Sequence, residues 1–172
     1  MMKALNDQNS NSASIKKFTA FLEKNNLRKT PERFAIFNCI LKINNLFTID
    51  FLSQQMASSV YHVSRATLYN TIDLLTQCGI IRRHVFEGMQ PQYERVTAVP
   101  HSYLICSCCN KIKEVRDKNF IAFMNANKKI TAFTVTHYSL YVYGVCNTCA
   151  RKMKRANAAD DHNITTSNNI IV

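Results

Sequence analysis

The strongest constraint on this chain is a doubled cysteine pair. Cys106 and Cys109 stand two residues apart in "YLICSCCNK", and Cys146 and Cys149 do so again in "YGVCNTC". At this spacing one turn of chain can aim two thiolates at a single ion, and two such knuckles close a tetrahedral site with no open position. The competing reading, four inert buried thiols, requires the same spacing to have arisen twice by accident. Four thiolates saturate the ion, and no "HxE" stretch precedes the pairs, so a zinc hydrolase or deaminase is disfavoured. The expected cofactor is a structural Zn2+, one per chain, joining the start of one strand to the end of another. A C-terminal half this small draws folding free energy from such an ion. Cys108 sits one residue too early to share a knuckle with Cys106 and is the spare thiol, whereas Cys39 and Cys78 fall where packing is the ordinary role.

The N-terminal half carries helical periodicity. Phe18, Phe21 and Leu22 follow Ile15 on one stripe; Thr30 and Pro31 open a second helix with Phe34, Phe37, Ile40 and Leu41 as its buried face. "TIDFLSQQM" makes a short third helix with Phe51, Leu52 and Met56 inward. Ser64 caps a fourth whose inner stripe is Leu68, Ile72 and Leu75, and Gly79 ends it. "IIRRHVFEGMQPQYERV" then reads as a hairpin turning at Glu87-Gly88. Helices followed by a hairpin make a winged helix-turn-helix. Beyond it, "SYLICS" and "THYSLYVYGVC" read as strands and "NFIAFMNANK" as a helix with Phe120, Ile121, Phe123 and Met124 to pack. The fold class is α+β. The expected boundaries are a flexible arm over 1–14, a winged-helix DNA-binding domain over 15–96, a hinge over 97–101, an α/β dimerisation domain over 102–152 and a flexible tail over 153–172.

A formal net charge of +11 over 172 residues favours a polyanionic partner, since neutralising phosphates releases counterions. On the fourth helix, the inner stripe leaves Arg65 and Tyr69 together on the outer face near the N-terminal end, where a recognition helix reaches base edges. Arg65 suits guanine or phosphate, Tyr69 a thymine methyl, and Asn70 adenine. Lys29 and Arg33 flank the second helix, Thr67 lies in the first turn of the fourth, and Arg82 and Arg83 begin the wing. The N-terminus has no signal-peptide core and no run is long enough to span a bilayer, which makes a cytoplasmic, non-membrane protein the expectation. Seven cysteines, an odd number, fit that reducing setting better than a disulfide framework.

In order along the chain, "LRKTPERFAIF", "VSRATLYNTIDLLTQCGIIRR", "YLICSCCNKIKEV" and "HYSLYVYGVCNTC" resemble the Fur (ferric uptake regulator) superfamily over roughly residues 15–152. The resemblance implies a bacterial transcription regulator that dimerises through its C-terminal domain and binds a double-stranded DNA operator with inverted-repeat character. It implies a base-contacting role for Tyr69, a minor-groove role for Lys29 and zinc ligation by Cys106, Cys109, Cys146 and Cys149. Asn70 stands where the family commonly has arginine, so operator preference differs. The family's sensing metal sites are only partly matched. Glu94 and Glu114 match, but of the histidine-rich run only His101 remains, Ile121 takes the helix position, and Tyr138 takes the strand position with His137 shifted by one. Because a strand alternates faces, His137 does not simply replace residue 138. Control therefore passes to a second regulatory metal in a rebuilt site, to oxidation of Cys108 or a zinc cysteine, or to haem held by a His or Cys. The alternatives are a zinc-stabilised protein-interaction module and a constitutive DNA binder without a sensing metal.

Overall fold

The computed structural model describes residues 2–57, 61–96, 101–116, 118–126, 129–130, 133–134 and 137–166. The chain divides into two compact units, Met1–Thr97 and Ala98–Val172. The division falls within the expected hinge, of which residues 97–100 lie outside the described residues, as do residues 58–60 of the turn read in "SSVYHV".

In the first unit, α1 (Met2–Lys24), α2 (Pro31–Leu41), α3 (Ile49–Ala57) and α4 (Arg65–Gln77) precede an antiparallel hairpin of β1 (Ile81–His84) and β2 (Gln92–Arg95). Each start has a local cause. The Arg33 N–H donates to Thr30 Oγ1 at 3.4 Å at the head of α2, Phe51 N–H to Thr48 Oγ1 at 3.1 Å in α3, and Thr67 N–H to Ser64 Oγ at 3.2 Å in α4. After α4, Gly79 turns to φ +65°, and the N–H of Ile80 reaches back to the carbonyl of Leu75 at 3.0 Å. A side chain at that φ would be strained, so glycine is what lets the helix stop there.

The stripes meet in one core of Phe18, Leu22, Ile36, Phe37, Ile40, Leu52, Leu68, Ile72 and Leu75, closed by Ile81 and Tyr93 from the hairpin. Each such side chain contributes roughly 1.5–3 kcal/mol by leaving water. Phe47 and Tyr93 exchange backbone hydrogen bonds of 2.9 and 2.8 Å, which fastens the wing to the segment before α3. In α3 the inward residue is Ile49 rather than the expected Phe51, which is 42% exposed.

The segment expected to be an arm over 1–14 is helical from Met2 onward, continuous with α1. Once an amphipathic turn exists, each added residue gains a hydrogen bond without a new nucleus, so a polar segment can propagate it. Arg95 ties the extension down, donating to Asn11 Oδ1 at 2.8 Å and to the carbonyl of Leu41 at 2.7 Å.

The second unit contains β3 (Ser102–Cys106), β4 (Ile112–Val115), α5 (Lys118–Ala126), the short ladder of β5 (Lys129–Ile130) and β6 (Phe133–Thr134), β7 (Leu140–Gly144) and α6 (Asn147–Thr166). The sheet order is β4-β3-β7, with β3 antiparallel to β4 and parallel to β7. Strand β7 is shorter than the segment read from the sequence, and His137, Tyr138 and Ser139 stand outside it. Strict alternation of faces therefore does not govern His137. Phe123 is 62% exposed rather than packed, and the side chains of Phe120, Ile121 and Met124 lie outside the described residues. The tail expected over 153–172 is helical through Thr166, because "ARKMKRANAA" is built of strong helix formers, and residues 167–172 lie outside the described residues.

Candidate metal centre and nucleic-acid interface

Parallel pairing is what brings the two knuckles together. Cys106 ends β3 opposite Gly144, which ends β7, so both chains leave the sheet at the same edge. The Ser107 N–H donates to the Gly144 carbonyl at 2.8 Å and pins that exit. The first knuckle folds back through Asn110, at φ 58°, a conformation asparagine tolerates; its N–H donates to the Cys106 carbonyl at 2.9 Å. The second passes into the first turn of α6, which carries Cys149.

A tetrahedral zinc with bonds of about 2.3 Å needs sulfurs about 3.8 Å apart. Here Cys109 Sγ and Cys146 Sγ are 3.9 Å apart, and the ligand atoms of Cys106, Cys109, Cys146 and Cys149 all lie within 4.8 Å of one another. The donor set and spacing fit a tetrahedral thiophilic ion.

The electrostatics point the same way. The Cys146 N–H donates to Cys106 Sγ at 3.3 Å and is the main reason that thiol drops to about 6. Cys146 is lowered by the backbone N–H of Cys149. Cys149 is pushed up to about 12, first by its hydrogen bond to Cys146 and then by that to Cys109. Four like charges in so small a space cannot all develop without a cation, so full deprotonation is coupled to metal entry. Cys108 lies outside the group and is exposed. Its thiol is raised, first by local loss of water and then by the charge on Cys106, which works against the thiolate a redox sensor requires. Cys78 is buried and Cys39 half-buried, and burial raises both.

On the winged helix, Arg65, Tyr69 and Asn70 share the exposed side of α4, with Tyr69 48% exposed. Arg65 Nη2 meets Asp50 Oδ1 of α3 at 2.5 Å, which aims the guanidinium across the helix pair. The Thr67 hydroxyl is 2.9 Å from Ser64 Oγ at the cap of the helix. Lys29 pairs with Glu23, and Arg33 donates to the Arg28 carbonyl. Two acids escaped the sequence reading. Asp50 lies fifteen positions before Arg65, with no local signal linking them, and Asp73 continues the exposed face of α4 one turn after Tyr69. Asp73 would repel phosphate, which limits how far α4 can lie along a backbone, whereas the charge of Asp50 is met by Arg65.

The expected sensing residues are divided between the two units, Glu94 in the first and His101, Glu114 and His137 in the second. Glu94 is buried on β2 directly opposite Arg82 of β1, with Arg82 Nη1 at 3.4 Å and His84 Nε2 at 2.8 Å from Glu94 Oε1. His84 is fully buried and stacks on Phe86 with ring centroids 5.8 Å apart. In the second unit, His101 Nε2 is 3.0 Å from the Tyr103 hydroxyl, and Arg116 Nε is 2.9 Å from Glu114 Oε1, while His137 is exposed. Each of Glu94, His101 and Glu114 thus meets protein partners within its own unit. Among the described residues, the four-cysteine group is the cluster of His, Cys, Asp and Glu close enough to hold an ion. Arg82 and His84 were legible in the sequence as partners of Glu94 only through the hairpin register.

The sequence profile of the Ferric uptake regulator family matches residues 24–143. The chain belongs to the Ferric uptake regulator family. The peroxide-responsive repressor PerR of Staphylococcus epidermidis is 28% identical over 130 residues, 76% of this chain and 86% of that protein. The peroxide operon regulator of Bacillus subtilis is 25% identical over 138 residues, 80% of this chain and 94% of that one. Among solved structures, the Vibrio cholerae ferric uptake regulator is similar at a TM-score of 0.57 and 25% identity, covering 73% of this chain and 96% of that one. The Helicobacter pylori ferric uptake regulator shares the fold at a TM-score of 0.68 and 16% identity, over 81% of this chain and 93% of that one. Members of the ferric uptake regulator family are metal-linked, DNA-binding transcription regulators rather than enzymes, and this chain is one of them. No helix among the described residues is long and apolar enough to cross a membrane.

Proposed function

We propose that this protein is a homodimeric repressor, held in shape by one zinc per chain at Cys106, Cys109, Cys146 and Cys149, that reads an inverted-repeat operator through α4. The observation that carries the reading is the capped α4 of a winged helix presenting Arg65, Tyr69 and Asn70 on one exposed face. Arg65 and Asn70 supply hydrogen bonds to base edges, Tyr69 an apolar contact, and Lys29, Arg33 and the exposed Arg83 of the wing supply phosphate contacts. The dimer surface is the open face of the second unit's sheet, where Leu104 and Val142 stand in register at 39% and 44% exposure, with Val145 beside them at 48%. Control on this reading does not rest on a metal shared by Glu94, His101, Glu114 and His137, since Glu94, His101 and Glu114 each already meet a protein partner.

The test is operator selection from a random duplex library, followed by Arg65→Ala and Tyr69→Ala. Each should relax selectivity with folding and zinc content unchanged; unaltered selectivity in both removes α4 as the reading element. A second reading, peroxide-linked control, draws on the likeness to peroxide-responsive repressors. It requires that peroxide release zinc and operator together from the zinc-loaded protein, with no redox-active metal added.

A further inference from the structure

The C-terminal helix carries a charge arrangement that neither the metal centre nor the α4 face uses. Arg151, Lys152, Lys154 and Arg155 occupy four of five consecutive positions of α6, and all four are exposed. At about 100° per residue they span an arc of about 160°, with Met153 alone on the opposite side, 51% exposed. No Asp or Glu occurs between Asn147 and Asn157, and none stands three or four positions from any of the four, so the one anionic neighbour at those spacings on the helix is the Cys149 thiolate, three positions before Lys152. The charged neighbours at those spacings are otherwise one another: Arg151 with Lys154 and Arg155, and Lys152 with Arg155. Like charges so placed destabilise a helix unless a counter-charge arrives from outside. The winged helix is different, since Lys29 and Arg65 there meet Glu23 and Asp50.

We infer that the 151–155 face of α6 is a second DNA-contacting surface, binding the phosphate backbone of the duplex without regard to sequence. The inference rests on the DNA-binding reading above and adds a contact outside the winged helix. Duplex DNA presents one charge per about 1.7 Å of axis, and four cations on a helix rising about 1.5 Å per residue match two to four of those phosphates. An anionic bilayer is the weaker partner, because an interfacial helix needs an apolar face and Met153 is the one large apolar side chain among residues 150–157. Phosphate contacts carry no sequence information, so they add affinity equally on operator and on mixed-sequence DNA.

The experiment measures binding of full-length, zinc-loaded protein to the selected operator and to a mixed-sequence duplex as a function of salt. The variants are Arg151→Gln, Lys152→Gln, Lys154→Gln and Arg155→Gln combined, and a charge-keeping variant with Lys and Arg exchanged at the same positions. The neutral variant should lose about 2–4 per protomer, about 4–7 per bound dimer, from the slope of log affinity against log salt on both duplexes, at about 0.9 per phosphate contact. The ratio of operator to mixed-sequence affinity and the zinc content should hold, and the exchanged variant should keep the full slope. An unchanged slope in the neutral variant overturns the inference. So does loss of zinc from that variant, which would make these cations local counter-charges for the thiolates, and so does loss of binding to phosphatidylserine vesicles with duplex binding intact. If the unmodified protein binds neither duplex, the reading of α4 fails with it; if it binds and only α6 is silent, that reading stands.

Discussion

Replacing Cys149 by Ser, or stripping the ion with a strong chelator, should melt the second unit and leave the first folded. Among the described residues of the second unit, the buried apolar side chains apart from the ligand Cys106 are Tyr103 and Ile105. At roughly 1.5–3 kcal/mol each, their burial supplies about 3–6 kcal/mol. A structural zinc contributes about 10–16 kcal/mol at neutral pH, the larger share. The first unit keeps a cluster of seventeen buried residues, none of which belongs to the four-cysteine group. Hydrogen exchange followed by residue range is the direct assay. Amides of β3, β4 and β7 should lose protection on zinc removal, while those of α2 and α4 should exchange as before. Operator affinity should fall along with dimer content. Retained protection across β3 and β7 in metal-free protein would refute the argument, because the sheet would then stand on its own packing.

Zinc retention should weaken on acidification. The folded-state value of Cys106 is depressed from the ordinary 9.0 to about 6, so its thiolate adds stability above 9.0 that is lost as pH falls to about 6; competition with a chromophoric chelator from neutral to mildly acidic pH should show the loss. Tyr69→Ala should cost about 1–3 kcal/mol of operator discrimination, read by competition binding, with an unchanged melting temperature. Ser64→Ala removes the cap of α4 and should destabilise the first unit by about 1 kcal/mol in urea denaturation. Titration with ferrous iron or manganese should add no second stoichiometric ion by mass spectrometry; if one binds at Glu94, Arg82 and His84 must first have moved away.

The helices of the first unit were legible because each carries its own signals. Thr30, Ser64 and Gly79 mark boundaries, and Phe18, Ile72 and Leu75 mark faces, all within a few residues of where they act. The cysteine pairs were legible for the same reason, with spacing standing in for geometry. What was missed is non-local or cooperative. Asp50 meets Arg65 across two helices, and Arg95 reaches Asn11 from the far end of the unit. The helical extension of α1 propagates from the amphipathic turns and is tied down by that anchor. For Glu94 the sequence lists a donor without showing its neighbours, Arg82 and His84. Strand β4, with two charged residues in four, has a composition that does not announce burial, and pairing with β3 defines it.

The parallel register of β3 with β7 also bears on how the second unit forms. Cys106 and Cys146 are forty residues apart, so the knuckles can meet only after a long excursion has closed. The entropy of closing such a loop rises only slowly with its length, by about 0.6 kcal/mol per doubling. Chain between Asn110 and Leu140 can therefore lengthen or shorten with little effect on whether the ion is held. The price falls on rate: a parallel contact with no hairpin to seed it forms late. A newly made chain would thus have a folded reading head before it can hold a partner, and zinc supply would set when a monomer becomes an assembled repressor.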